Sequence, residues 1–368
     1  MLKIILSILI IFLVNSNGYT KTIKIGSIQD QTGPTSFIGK EHAQGIADYI
    51  EYINKKGGIN NNIIELETID YQYKIPKSLA SFQKFADDKD VIAVFGWGAS
   101  DGKEIASLAD KAGLLFIPGS FVSFNQDSFR KFVFNPISTY KDQLSVLLKH
   151  IAFIHRHSTE MPKVVIVYHN SLFGRAPLDK VKELAEELNI DIINTAPQNS
   201  DLVDAVEIME SIKLLNPDYI IIHDVFERAL MDIRDGKRIM PKVQFLGTYY
   251  TFDQSLSDAV GKDFDGFITI APYKDWNSDA EGIKEIKDFN SGVNERSINY
   301  IQGWASAKIL CKSIEKSREN PSRENIKDSI KLFASTDGVT NKNNLMIYRF
   351  NAKYGKFEPF SDWIQIPE

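Results

Sequence analysis

The chain has 368 residues, 43% hydrophobic and 25% charged, a balance that excludes a disordered chain and leaves room for two ordinary domains. A formal charge of -5, with acids and bases mixed along the length, excludes a broad nucleic-acid-binding surface. The single cysteine, Cys311, excludes an internal disulfide and a multi-cysteine zinc site.

At the N-terminus, Met1-Leu2-Lys3 supplies a positive start, and Ile4 to Val14 is an uninterrupted apolar run ahead of Ser16-Asn17-Gly18. This is the pattern of an export signal, residues 1–18, cleaved near Gly18. A bilayer span needs roughly 20 apolar residues, so the run leaves no stable membrane anchor. A lipid anchor would need a cysteine at the new N-terminus, and Cys311 lies far from it.

The mature part opens with Ile23, Ile25 and Ile28 among small and polar residues, a short buried strand. It runs into the turn Thr32-Gly33-Pro34, then Phe37, and after Gly39 the apolar positions Ala43, Ile46, Ala47, Ile50 and Ile53 take helical spacing. In open α/β sheets ligands bind beyond the carboxyl ends of the strands, so this loop is expected to wall a cleft.

Strands are expected at Ile63–Asp70, Val91–Phe95 and Leu114–Ile117, with helices at Lys77–Asp87 and from Gly102 through Ala112. The alternation then restarts. Strands are expected at Lys163–Tyr168, Ile190–Asn194, Tyr219–His223, Val243–Leu246 and Phe267–Ala271, and helices at Ala176–Leu188, Leu202–Leu215 and Phe226–Asp235. Helices follow at Glu281–Asn290, Ile298–Ser317 and Arg323–Phe333, and an antiparallel pair at Leu345–Phe350 and Phe357–Ile366 closes the chain. The expected fold is α/β, two doubly wound lobes with parallel sheets. No flexible linker separates them, so several crossings are expected.

Thr32-Gly33-Pro34, Ile53-Asn54-Lys55-Lys56-Gly57-Gly58-Ile59, Ala109-Asp110-Lys111-Ala112-Gly113, Phe173-Gly174 and Gln244-Phe245-Leu246-Gly247, in this order behind a signal peptide, carry a resemblance. The chain resembles the type I periplasmic binding proteins of the leucine/isoleucine/valine-binding family. The resemblance implies two Rossmann-like lobes joined by three hinge crossings, with a small-molecule ligand held between them. It implies lobes of residues 21–136 with 273–334 and of 137–272 with 335–368, crossings near 135–138, 271–273 and 334–339, and a periplasmic location.

By the same resemblance, Phe37 falls where an aromatic packs on the ligand, and Ser100 and Gly119-Ser120 fall where the first lobe holds a ligand carboxylate. Phe173 falls at an aromatic that closes from the second lobe. Val225 and Tyr249 depart from the family: Val225 replaces an aromatic, and Tyr249 replaces the acid that pairs with a ligand ammonium. Asp224, in the neighbouring loop, is the candidate substitute for that acid. Trp97, Phe121 and Tyr250, aromatics on the same loops, are further candidate contacts.

No cofactor or metal is expected. Gly96-Trp97-Gly98-Ala99-Ser100-Asp101-Gly102 sets its third glycine one place late for a dinucleotide loop, and His155 and His157 do not share a helix face. The sequence has no nucleophile elbow, P-loop or zincin motif, so no enzymatic activity is expected. The expected function is capture of a small organic solute, an amino acid or a related carboxylate or amide, for an inner-membrane ABC permease. A sensor subunit presenting ligand to a membrane signalling protein, and an exported hydrolase, are the alternatives.

Overall fold

The computed structural model describes residues 21–123, 130–178, 181–199, 202–253, 261–317, 321–333, 335–341 and 343–366; the expected signal segment at 1–18 lies outside them. Among the described residues no helix is long and apolar enough to cross a membrane.

In the first lobe, β1 (Thr22–Gln29) lies between β2 (Ile63–Asp70) and β3 (Val91–Phe95), with β4 (Leu115–Ile117) beyond β3, all parallel. The connecting helices are α1 (Ser36–Lys55), α2 (Ile75–Asp87) and α3 (Ala99–Ala112). Every residue of β3 is buried, which is why its sequence is a continuous apolar run. Gly113 ends α3 in the left-handed region at φ 60°, a conformation that glycine adopts without a side-chain clash.

The chain then enters the second lobe through α4 (Tyr140–Ile154). Its N-terminus is closed by a capping box: Asp142 N–H donates to Thr139 Oγ1, and Thr139 N–H donates to the Asp142 carboxylate. There follow β5 (Lys163–His169), α5 (Leu172–Arg175), α6 (Val181–Glu187), β6 (Asp191–Gln198), α7 (Val206–Lys213), β7 (Tyr219–His223), α8 (Phe226–Ile239), β8 (Gln244–Gly247) and β9 (Ile268–Ala271).

Of the single helix expected over Ala176–Leu188, the structure has turns at 176–178, after α5, and the shorter helix α6. Pro177 has no N–H to give to the carbonyl of Phe173. That carbonyl accepts from His223 Nε2 at 3.1 Å, which ties α5 to β7.

α9 (Glu281–Phe289), α10 (Ile298–Lys316) and α11 (Arg323–Ser329) return to the first lobe. α10 crosses α1 at close range. A Cβ on Gly45 would collide with the Tyr300 carbonyl, and one on Gly303 with that of His42. The chain closes with β10 (Ser335–Thr336), β11 (Thr340–Asn341), β12 (Asn344–Asn351), β13 (Lys356–Pro359) and β14 (Ile364–Gln365). The expected closing strand over Phe357–Ile366 is thus two short strands, both paired with β12. The second sheet runs β13-β12-β9-β8-β7-β5-β6; it is parallel from β6 to β9, and β12 and β13 are antiparallel.

Two of the connections between the lobes run side by side. Tyr273 bridges Thr340, Lys274 N–H donates to the Val339 carbonyl at 2.7 Å, and Thr340 Oγ1 donates to the Pro272 carbonyl at 2.8 Å. The turn between β10 and β11 is held to the first lobe by charge: Lys308, almost fully buried on α10, meets Asp337 at 2.5 Å and Glu285 at 2.6 Å.

Candidate functional site

The loop from β1 to α1 is built around Asp30, which is fully buried. Its carboxylate accepts from Gly33 N–H at 2.6 Å, Thr35 N–H at 2.8 Å and Thr35 Oγ1 at 2.7 Å. Having donated to Asp30, the Thr35 hydroxyl accepts from Trp97 Nε1 at 2.8 Å. One buried acid thus shapes the loop and fixes the indole that faces the second lobe. Opposite it, His223 donates through Nε2 to Phe173, so its Nδ1 accepts from Thr248 Oγ1 at 2.6 Å. Burial pushes His223 down to about 3, and the ring stays neutral while holding α5 in place.

The lobes meet along an aromatic seam. Tyr250, at the end of β8, donates its hydroxyl across the gap to the Gly119 carbonyl at 3.1 Å. Its ring stacks on Phe121 at 5.9 Å with 12° between planes and meets Trp97 edge-on at 6.4 Å. Tyr249 donates toward Gln302 Oε1 at 3.2 Å and the Ile298 carbonyl at 3.3 Å, both on α10, and Gln302 Nε2 donates to Gly119 at 2.8 Å.

Two cavities flank this seam. The inner one, about 50 Å³, is walled by Trp97, Ser120 and Tyr250 with Thr35, Tyr73, Tyr140 and Phe173. It is large enough for a water molecule or two. The outer one, about 510 Å³, lies within the size range of small-molecule sites. Phe37, Ser100 and Tyr73 line it from the first lobe, and Phe173, Asp224 and Arg228 from the second.

Of the residues singled out in the sequence, Phe37, Ser100, Phe173 and Asp224 share the outer cavity, while Trp97, Ser120 and Tyr250 line the inner one beside Phe173. Gly119, Phe121 and Tyr249 line neither. The Gly119 carbonyl is taken by Tyr250 and Gln302, while Phe121 and Tyr249 are fully buried behind the walls. Phe37 is 55% exposed, so it stands at the rim and not in an enclosed pocket.

Tyr73 touches both cavities and was not singled out. It reaches them because Gln72 and Tyr73 adopt left-handed backbone at φ 57° and 56°, which no sequence period announces. Its only signal was an aromatic just past the end of β2.

The electrostatics of the outer cavity are one-sided. Asp224 is 1% exposed; its Oδ1 accepts from Val225 N–H at 2.8 Å, and Oδ2 has no partner among the described residues. Burial pushes its carboxyl up to about 8. Arg228 is spent on its own lobe. Nε donates to Gln198, Nη1 to the Leu202 carbonyl and toward Met231 Sδ, and Nη2 to the Asp204 carbonyl while facing Asp232. His169 Nδ1 is hydrogen-bonded to Ser171 Oγ at 2.7 Å, and burial, with Arg175 nearby, lowers its basicity. No group of three or more metal-ligating side chains occurs among the described residues.

The family model for periplasmic binding proteins matches residues 22–347. A Leu/Ile/Val-binding protein homologue of Brucella melitensis is 23% identical over 314 residues, covering 80% of this chain and 77% of its own. A leucine-, isoleucine-, valine-, threonine- and alanine-binding protein of Pseudomonas aeruginosa is 21% identical over 300 residues, covering 81% and 79%. Among solved structures, a branched-chain amino acid ABC transporter protein of Thermus thermophilus with bound valine superposes with a TM-score of 0.85 at 21% identity, over 94% of this chain and 96% of that one. A fatty acid ABC transporter substrate-binding protein of Thermomonospora curvata gives 0.81 at 19% identity, over 94% and 95%. The family match takes in the whole first sheet, most of the second and the connections between them: the chain belongs to the periplasmic binding protein family.

Proposed function

We propose that this protein is the substrate-binding subunit of an ABC importer, which captures a small organic solute between its lobes and delivers it to an inner-membrane permease. The observation that carries the proposal is the cavity of about 510 Å³ walled by both lobes, in a chain whose lobe connections run side by side. A ligand touching both walls favours the closed arrangement, and the closed shape is what a permease would read. Residues 21–136 with 273–334 would move as one body and 137–272 with 335–368 as the other. The chain would work in the periplasm after removal of its first 18 residues, as a binder and not an enzyme. The branched-chain amino acids named for its relatives are the first solutes to try.

The experiment is mass spectrometry of small molecules extracted from the purified protein, followed by their return to the stripped protein. A solute recovered unchanged, near one per chain, that raises the melting temperature supports capture. Chemical conversion of that solute, or no uptake of any, contradicts it.

A further inference from the structure

Taking capture between the lobes as given, we infer that Asp224 selects the solute. It anchors a nitrogen donor, an ammonium or an amide N–H, while the aromatic walls cover an apolar body.

Among the described residues the cavity has an acid to offer and no free cation. Asp224 sits in the wall with one carboxyl oxygen unpartnered among those residues and almost no exposure to water. A buried polar atom without a partner is costly, and a ligand donor would remove that cost. The arginine in the wall, Arg228, has every N–H turned to a protein acceptor, and the wall's histidine, His169, is bonded to Ser171. A solute ending only in a carboxylate would face Asp224 and Glu227 with no charge to answer it.

The second-lobe position of Tyr249 is closed off as well. Tyr249 is fully buried and committed to α10, so it leaves no acid at that position. Asp224 stands instead immediately ahead of Val225, the N-cap of α8, where the helix dipole favours an ionised carboxylate once a cation arrives. The charged and titratable groups around it are Glu227, Arg228 and Asp232 on α8 and His169 on β5. Beside the hydroxyls of Thr35, Ser100 and Ser171, the side chains of Phe37, Ile38, Tyr73, Phe173, Val225 and Met231 give the wall an apolar stretch that suits a compact apolar body.

Three probes with one phenyl body and different ends test this by calorimetry on the full mature protein: 2-phenylethylamine, 3-phenylpropanamide and 3-phenylpropanoate. The amine and the amide bind, and the carboxylate binds at least about tenfold more weakly. Asp224→Asn weakens the amine by about tenfold or more. Repeating the titration in buffers of different ionisation enthalpy separates the two nitrogen classes. The amine ionises Asp224 and releases a proton to the buffer, whereas the amide releases none.

Equal affinity for the carboxylate, an unchanged amine affinity in Asp224→Asn, or no binding of either nitrogen probe overturns the inference. Mass spectrometry of the native extract separates this failure from that of capture itself. A bound solute with no N–H donor sinks the role of Asp224 and leaves capture standing. A bound solute carrying an N–H donor whose affinity falls in Asp224→Asn supports both.

Discussion

The Tyr250 hydroxyl of the second lobe donates to the Gly119 carbonyl of the first at 3.1 Å, so one hydrogen bond crosses the cleft at the inner end of the ligand cavity. The same carbonyl accepts from Gln302 within the first lobe. Removing the tyrosine hydroxyl therefore leaves Gly119 paired and weakens only the closed state. Tyr250→Phe is expected to make closure less favourable by about 1 kcal/mol, which weakens ligand affinity several-fold. Small-angle scattering of the ligand-free variant should show a larger radius of gyration than wild type, with the melting temperature little changed.

Asp224 makes a second prediction, in stability against pH. Its carboxyl ionises from an ordinary value of 3.8 in the unfolded chain and from about 8 in the folded one. Between those values the folded protein holds a proton that the unfolded chain has lost. The contribution is therefore fully present below 3.8 and disappears as pH rises through about 8. Asp224→Asn should flatten this slope and be more stable than wild type near pH 8, by on the order of a few kcal/mol. Urea denaturation at several pH values checks it, and identical slopes in the two proteins would refute it.

The crossing of α1 and α10 depends on Gly45 and Gly303. Each would drive a Cβ into a backbone carbonyl of the other helix, and a carbonyl cannot step aside as a side-chain tip can. Gly303→Val should lower stability by about 3 kcal/mol or more, read as a fall in the denaturation midpoint with an unchanged slope.

Lys308 ties the ribbon of the hinge to α10 through Asp337 and Glu285. Lys308→Met keeps most of the length of the side chain, removes the cation from Glu285 and leaves Asp337 paired with Lys312 alone. Amide exchange at Asp337–Thr340 should quicken, with a stability loss of about 2 kcal/mol. Unchanged exchange there would mean the ion pairs do not restrain the hinge.

Much of the fold is legible in the sequence because central strands such as Val91–Phe95 and Tyr219–His223 are buried throughout and read as continuous apolar runs. These two and the edge strand Ile63–Asp70 have the bounds that their residue patterns and flanking turn residues announce. The helix after β5 was misjudged because Pro177 interrupts a run whose apolar spacing continues past it. The site is harder to read. A sequence places Phe37, Ser100, Phe173 and Asp224 on the loops at one end of the sheets, but not whether a neighbour such as Tyr249 or Phe121 turns toward solvent or toward α10. Packing decides that, and here Gln302 and the Ile298 carbonyl draw Tyr249 inward. Tyr73 depends on two left-handed residues, and Arg228 on acceptors from Gln198 to Asp232; neither follows from local pattern.

The central claim, that a solute is held between the two lobes in the outer cavity, is tested most directly by hydrogen–deuterium exchange. The mature protein would be stripped of bound small molecules and measured before and after return of its own extract. Slower exchange at the loops carrying Phe37, Tyr73 and Ser100 and, in the same sample, at those carrying Phe173 and Asp224 is the predicted result. Protection confined to one lobe, or none at either, would contradict it.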